Sequence, residues 1–357
     1  MFKVMGRKGP SRAEKEAKAR NEEIDRQLMT EALKPKNELK MLFLESGNSG
    51  GLELLRQFKL IQQGGYSTSE REAYKDTIYS NAIQAMKFIL EAIPELGLTL
   101  APSNNTSSAT ILSLPSQVEY SVLPHNIAEA LRSLWGDLAV QQAVRRSNEF
   151  NLNESAVYYF RIMDRLWSPR YIPTDQDIMR CKIRTTGISE TNFMVGDTTY
   201  KIFHLGGQRG ERRKWVHQFD NVTAVMYMVN LAEYDEMLEE DNSVNRLEET
   251  FLHFDSVCNS KWFSQTPFIL ILNHVDRFAA KLHHSPLGDY FPDYRGGNDY
   301  DAACDYILNR FVSLNQNTAK RQIYAHYCSN DPQQLKFILS AILDILLQLY
   351  LRDKRLL

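Results

Sequence analysis

The chain has 357 residues, 43% hydrophobic and 24% charged, an ordinary composition for a globular protein and a length sufficient for two domains. Its 42 basic and 44 acidic side chains leave a formal charge of -2, so no global electrostatic attraction singles out nucleic acid as a partner. The cysteines Cys181, Cys258, Cys304 and Cys328 lack metal-ligand spacing and are few and scattered, which fits a reducing, intracellular compartment better than a disulfide framework.

Residues 1–40 are dominated by Lys, Arg and Glu rather than by an apolar stretch, so no secretory signal is predicted. Residues 11–34 read as one charged helix, opened by Ser11 and Glu14 at capping-box spacing. Its thin apolar stripe of Ala13, Ala17, Ile24 and Leu28 calls for a packing partner. Ahead of it Lys3, Arg7, Lys8 and Arg12 would each gain about 1 kcal/mol near an anionic membrane, which is weak adhesion. Residues 39–44 predict a buried strand and 52–61 a helix, with a glycine-rich turn between them. From 66 to 179 the pattern predicts helices only, such as 73–93 and 126–146, interrupted by a polar loop "SNNTSS" at 103–108.

Strands then return. Residues 191–195 and 199–205 flank Gly196-Asp197 as a hairpin, and 224–229 and 268–272 are the continuous apolar strands of a sheet covered on both faces. This is an α/β domain carrying an all-helical insertion. The most apolar segment, "LKFILSAILDILLQLYL" at 335–351, falls short of the roughly 20 residues a membrane span needs. It also contains Lys336 and Asp344, and a central charge costs about 2.5 to 3.5 kcal/mol on insertion, so a buried core helix is predicted.

Several stretches could carry phosphate and purine chemistry. The frame of a phosphate-binding loop, G-x-x-x-x-G-K-[S/T], falls on Glu45-Ser46-Gly47-Asn48-Ser49-Gly50-Gly51-Leu52, without the lysine or the magnesium-binding hydroxyl. "KIRTTG" at 182–187 follows the helical block, where a threonine can close over a γ-phosphate and offer its hydroxyl to Mg²⁺. "HLGGQR" at 204–209 ends a strand, where a glycine amide can bond a γ-phosphate and a glutamine can orient water. Asn273-His274-Val275-Asp276 follows the strand "PFILIL"; an aspartate there accepts the N1 and N2 protons of guanine, which adenine does not supply. Cys328-Ser329-Asn330 precedes the C-terminal helix, where a backbone amide can meet the guanine O6. Singly these are a glycine turn, a strand-entry loop or a chance N-x-x-D; their order and spacing are what point to a guanine-nucleotide switch.

With "NESAVYYF" (153–160), "RTTGISETNF" (184–193), "GGQRGERRKWVHQFDNVTAV" (206–225) and "CNSKWF" (258–263), the chain resembles the heterotrimeric G protein α subunits along essentially its whole length. The resemblance implies a Ras-like P-loop GTPase domain, with a mostly parallel six-stranded sheet and helices on both faces, and an inserted all-helical domain. The expected divisions are an N-terminal helix (1–36), a first Ras-like part (37–63), the helical domain (64–179) and a second Ras-like part (180–357).

Residue by residue, Gly47, Ser49 and Gly50 match the family's phosphate loop, while Glu45 replaces a glycine, Asn48 a glutamate, Gly51 the lysine and Leu52 the Mg²⁺-binding serine; Ser46 completes the loop. Thr185 matches the second Mg²⁺-binding hydroxyl, but Lys182 stands where the family has its catalytic arginine, and a lysine cannot repeat the planar two-point contact. Gly207 and the catalytic Gln208 match, whereas His204 replaces the aspartate that holds magnesium's water. Asn273 and Asp276 match the base-reading element with His274 in place of its lysine, and either Cys328 or Ser329 supplies the O6 contact. The resemblance also assigns nucleotide contacts to Glu154, Ser155, Met179 and Arg180.

The implied cofactors are GTP or GDP and Mg²⁺, and the implied partners are a Gβγ dimer (through 11–34 and 199–217), a G protein-coupled receptor near 352–357 and a downstream effector. The substitutions make the expected function that of a signal transducer binding guanine nucleotide weakly or abnormally, a pseudo-GTPase, and they leave catalysis open. The alternatives are a fully cycling GTP-hydrolysing switch and a nucleotide-independent Gβγ-binding scaffold. The expected place is the cytoplasm and the cytoplasmic face of the plasma membrane, held peripherally. Phe2 replaces the glycine that myristoylation needs, Pro10 disfavours a later start at Met5-Gly6, and no cysteine precedes Cys181, so the basic start and a partner would carry attachment.

Overall fold

The computed structural model describes residues 38–45, 49–150, 152, 154–182, 188–196, 198–206, 215–238, 241–329 and 331–353. The charged helix expected at 11–34 and the basic residues before it lie outside them. The strands are β1 (Glu38–Glu45), β2 (Ile188–Val195), β3 (Thr198–Leu205), β4 (Ala224–Asn230), β5 (Phe268–Asn273) and β6 (Ile323–Cys328). They form one six-stranded sheet in the order β2-β3-β1-β4-β5-β6. Every pairing is parallel except the β2–β3 hairpin, as Gly196 in the left-handed region (φ 58) turns the chain back on itself.

Alternation along the strands builds two cores. Leu39, Met41 and Phe43 of β1 pack on one face with Leu54, Leu55 and Phe58 of α1 (Gly51–Gln63). Leu42 and Leu44 pack on the other with Phe251 and Phe254. Between α1 and β2 the regular elements among the described residues are helices: α2 (Thr68–Ala73), α3 (Lys75–Glu95), α4 (Asn105–Ser113), α5 (His125–Trp135), α6 (Leu138–Arg145), α7 (Glu154–Arg161), α8 (Met163–Leu166) and α9 (Asp175–Met179), with two short 3-10 turns. These enclose a separate core that includes Ile83, Met86, Leu131 and Phe160. The remaining helices are α10 (Arg246–Cys258), α11 (Val275–Leu282), α12 (Leu287–Tyr290), α13 (Tyr300–Ser313) and α14 (Pro332–Asp353).

Three local expectations change. The polar run at 103–108 is a 3-10 turn, Pro102–Asn104, leading into α4, because the buried Asn104 side chain donates to Asp137 Oδ2 at 2.7 Å and accepts from Ser133. The helix expected at 126–146 is two, broken at Gly136-Asp137, where Asp137 caps α6 by accepting from the Ala139 amide at 2.8 Å. The C-terminal helix α14 is long and apolar enough to cross a membrane by composition, yet it packs on the sheet through one face, Leu335, Ile338, Leu339, Ile342 and Leu346, and leaves the other open rather than being buried all round.

The helical block is braced by one charge. Asp177, fully buried, accepts from Arg165 Nη1 and Nη2 at 2.6 and 2.7 Å, from the Tyr158 hydroxyl at 2.6 Å and from the Thr174 amide at 2.8 Å. Burial alone would raise its pKa, but these donors, Arg165 foremost, outweigh burial and hold it at about 2. Because the folded value lies below the ordinary 3.8, this stabilisation is complete above that pH and is lost as pH falls toward 2. Asp177→Asn is expected to cost roughly 3 kcal/mol in urea unfolding at pH 7, the range for breaking a buried pair, and the gap to the parent protein is expected to shrink as the pH is taken below 4.

Candidate functional site

The strand order sets the location. β1 lies between β3 and β4, so the connections leave its two sides in opposite directions, and its C-terminal end is the switch point at which open α/β sheets take their ligands. There the chain turns from β1 into α1 through Ser49 and Gly50. Gly50 has φ 87, and a Cβ on it would sit 3.3 Å from Asn273 Nδ2, so both the backbone and the close approach require glycine. Asn273 Nδ2 donates to the Ser49 carbonyl at 3.1 Å, joining the end of β5 to the loop.

Glu45 occupies the head of α1. Odd-numbered residues of β1 face α1, and in the β1–β3 register Phe43 pairs with His204, so Glu45 and His204 share that face at the strand ends. Glu45 Oε2 accepts from the Gly51 amide at 3.0 Å, and Glu45 Oε1 accepts from His204 Nε2 at 3.0 Å. The relative exposures of Glu45 and His204 are 3% and 0%. The carboxylate thus takes the helix N-terminal amide that a phosphate-binding loop would offer to an anion, where the helix dipole favours negative charge. A Cβ on Gly51 would lie 2.9 Å from Glu45 Oε2 and 3.2 Å from His204 Nε2, so Glu45 in this position leaves no room for a side chain there. Among the described residues His204 Nδ1 is buried without a hydrogen-bond partner.

A second carboxylate lies nearby. Glu233, buried after β4, accepts from Asn230 Nδ2 at 3.0 Å and faces Arg246 at 3.5 Å. Burial pushes its pKa up to about 7, Arg246 opposes the rise, and the charges of Glu236 and Glu45 add to it.

The base end is assembled by β5 and β6, whose last residues Asn273 and Cys328 pair in register. His274 begins α11 in the left-handed region with φ 60. Burial, then the charge of Arg277, lowers its pKa, so its imidazole is neutral at pH 7. Asp276 is exposed in the first turn of α11. Burial, then Asp276's charge, pushes the Cys328 thiol up to about 12, so no thiolate forms there at neutral pH. The Ser329 amide donates to Gln334 Oε1 at 2.8 Å, and the Ser329 hydroxyl donates to the same oxygen.

Lys182 is exposed, with its backbone clamped by α3: its amide donates to Asn81 Oδ1 at 2.6 Å and its carbonyl accepts from Asn81 Nδ2 at 2.8 Å. Arg180, just after Met179 ends α9, lies over the Tyr158 ring at 4.6 Å, and Glu154 and Ser155 begin α7. Ser46, Gly47, Asn48, Thr185, Gly207 and Gln208 lie outside the described residues. The sequence reading missed Glu233, Asn81 and Gln334; only Gln334 carried a signal, since Asp331 three residues earlier gives capping-box spacing and accepts from the Gln334 amide at 2.8 Å.

Among the described residues the two ends fit a magnesium-bound guanosine phosphate differently. At the phosphate end a carboxylate holds the helix amide, Leu52 offers no oxygen, and no group of three or more His, Cys, Asp or Glu could hold a metal. The described donors thus include no cation-binding cluster for the magnesium of a polyphosphate. At the base end, Asn273 fixes the loop and Asp276 is free to read a purine edge.

The chain matches the family model described as G-protein alpha subunit over residues 18–346. It is 57% identical over 339 residues to a guanine nucleotide-binding protein subunit alpha of Coprinellus congregatus, covering 95% of this chain and 96% of that one. It is 50% identical over 347 residues to a guanine nucleotide-binding protein alpha-1 subunit of Mycosarcoma maydis, covering 97% and 98%. The alpha-1 subunit of Neurospora crassa is 51% identical over 346 residues, covering 96% and 98%.

The packing at residue 51 yields an expected outcome. Gly51→Lys alone should destabilise the fold by about 1 to 3 kcal/mol through overpacking against Glu45. In a double-mutant cycle with Glu45→Gly, read by chemical unfolding, most of that loss should disappear as a coupling energy above about 1 kcal/mol. Additive effects would mean that the two positions do not share the space.

Proposed function

The chain belongs to the G-protein α subunit family, and from that premise we propose that it is the α subunit of a signalling heterotrimer, coupling receptors to effectors together with a Gβγ dimer. In this reading it is held peripherally at the cytoplasmic face of the plasma membrane and binds Mg·GTP weakly, so that its nucleotide cycle is impaired. The observation that carries the reading is the Glu45 carboxylate bonded to the Gly51 amide at 3.0 Å. An incoming phosphate meets the Glu45 carboxylate beside Gly51, the position at which the resembled family has its lysine. A unit charge pair at 4 Å is worth about 4 kcal/mol even at an effective dielectric near 20, roughly a thousandfold in affinity. Leu52 adds to this by giving the cation no ligand.

A second reading, a Gβγ-binding scaffold with no nucleotide cycle, has its own support. The Gly51 and Ser329 amides are both satisfied internally, by Glu45 and Gln334, so those donors need no ligand. The two readings differ in release: a cycling subunit lets Gβγ go when loaded with a GTP analogue, and a scaffold does not.

Equilibrium binding of a slowly hydrolysed GTP analogue tests the impairment. The expected result is a Kd in the micromolar range or weaker that Mg²⁺ does not improve; sub-micromolar, Mg²⁺-dependent binding would overturn it. Co-purification with Gβγ is expected in either case, and its absence would remove the heterotrimer reading.

A further inference from the structure

The geometry points to Glu45 as the residue that sets ligand specificity at this site. We propose that its carboxylate stands in for a ligand's phosphate, so that the site takes a guanine nucleoside lacking a β-phosphate and takes it without magnesium. This rests on the reading of the phosphate end given above and adds the class of ligand.

One of the amides with which such a loop cradles a phosphate, that of Gly51, is already held by Glu45. His204 secures the other carboxylate oxygen at 3.0 Å, and both side chains are buried, so the carboxylate is a fixed part of the site. At the base end the ring of His274 is half-buried beside Gly50, with Nε2 3.6 Å from the position of a Gly50 Cβ. Asp276 is exposed and can accept two protons from a guanine edge, which adenine does not present. Guanine reading therefore falls to Asp276 rather than to the Ser329 amide, which Gln334 holds. A neutral nucleoside satisfies the base end and leaves the Glu45–His204 pair in place; a diphosphate must displace it.

The test is isothermal titration of the full chain with guanosine, GMP, GDP and adenosine, each with Mg²⁺ and with EDTA. Guanosine is expected to bind about tenfold or more tightly than GDP, since the charge penalty removed is at least of that order. Mg²⁺ should make no difference, and adenosine and the Asp276→Asn variant with guanosine should give no signal. Glu45→Gln, which keeps the shape and drops the charge, should narrow the gap between guanosine and GDP, and Glu45→Gly should narrow it further, with folding of both checked by thermal melting. An unchanged ratio in a folded Glu45 variant would overturn the proposal. Absence of guanosine binding at millimolar concentration would overturn it and leave the heterotrimer reading standing. Tighter, Mg²⁺-dependent GDP binding by the parent protein would overturn both this proposal and the impaired cycle, while loss of Gβγ association alone would count only against the heterotrimer.

Discussion

A carboxylate buried at the first turn of a helix is tolerated only where donors surround it, and Glu45 meets that condition with the Gly51 amide on one oxygen and the His204 ring on the other. The surroundings follow from this requirement. Residue 51 carries no side chain because the carboxylate fills the space a Cβ would need. Residue 204 is an imidazole held 5.4 Å from the Phe43 ring, which fixes its orientation over the carboxylate. Gly50 adopts a left-handed turn that lets the Ser49 carbonyl meet Asn273, so the strand end at β5 is tied to the same loop.

The same economy operates at the other end of the site. A loop amide left unpaired on burial costs about 1 to 3 kcal/mol, and the Ser329 amide avoids it by bonding Gln334 in the first turn of α14. Gln334 also donates to the Tyr327 carbonyl at 3.2 Å, so the start of α14 is stapled to the end of β6. Both ends of the site thus have internal partners for groups that could serve a ligand. A ligand that called on the Gly51 or Ser329 amide would compete with a side chain already in place.

The helical block has its own core and reaches the sheet domain through a few polar contacts. Arg56 of α1 donates to the Cys181 carbonyl at 2.5 Å, and Asn81 of α3 clamps the Lys182 backbone on both sides. Lys182, at the arginine position of the resembled family, is therefore positioned by a side chain of the helical block. Asp177, five residues earlier, ties down the exit of the block through Arg165, Tyr158 and Thr174.

Much of the fold was legible in the residues. The short apolar runs at 224–229 and 268–272 fit strands buried on both faces, and the glycine turn between an apolar strand and a helix gives the frame of a phosphate loop. The polar run 103–108 misled because its composition describes a solvated loop, whereas Asn104 is buried by a partner 33 residues away. β6 had no apolar run, since an edge strand with half-buried residues needs none. At the site, the sequence by itself determined which groups are present: Glu45, Gly51, Leu52 and His204, and hence the loss of a lysine and a metal-ligating hydroxyl. Only the tertiary structure decided what replaced them. Glu45 and His204 are 159 residues apart, and it is the parallel β1–β3 register, a long-range pairing that no local pattern encodes, that brings their side chains to 3.0 Å and sets a carboxylate on the helix amide.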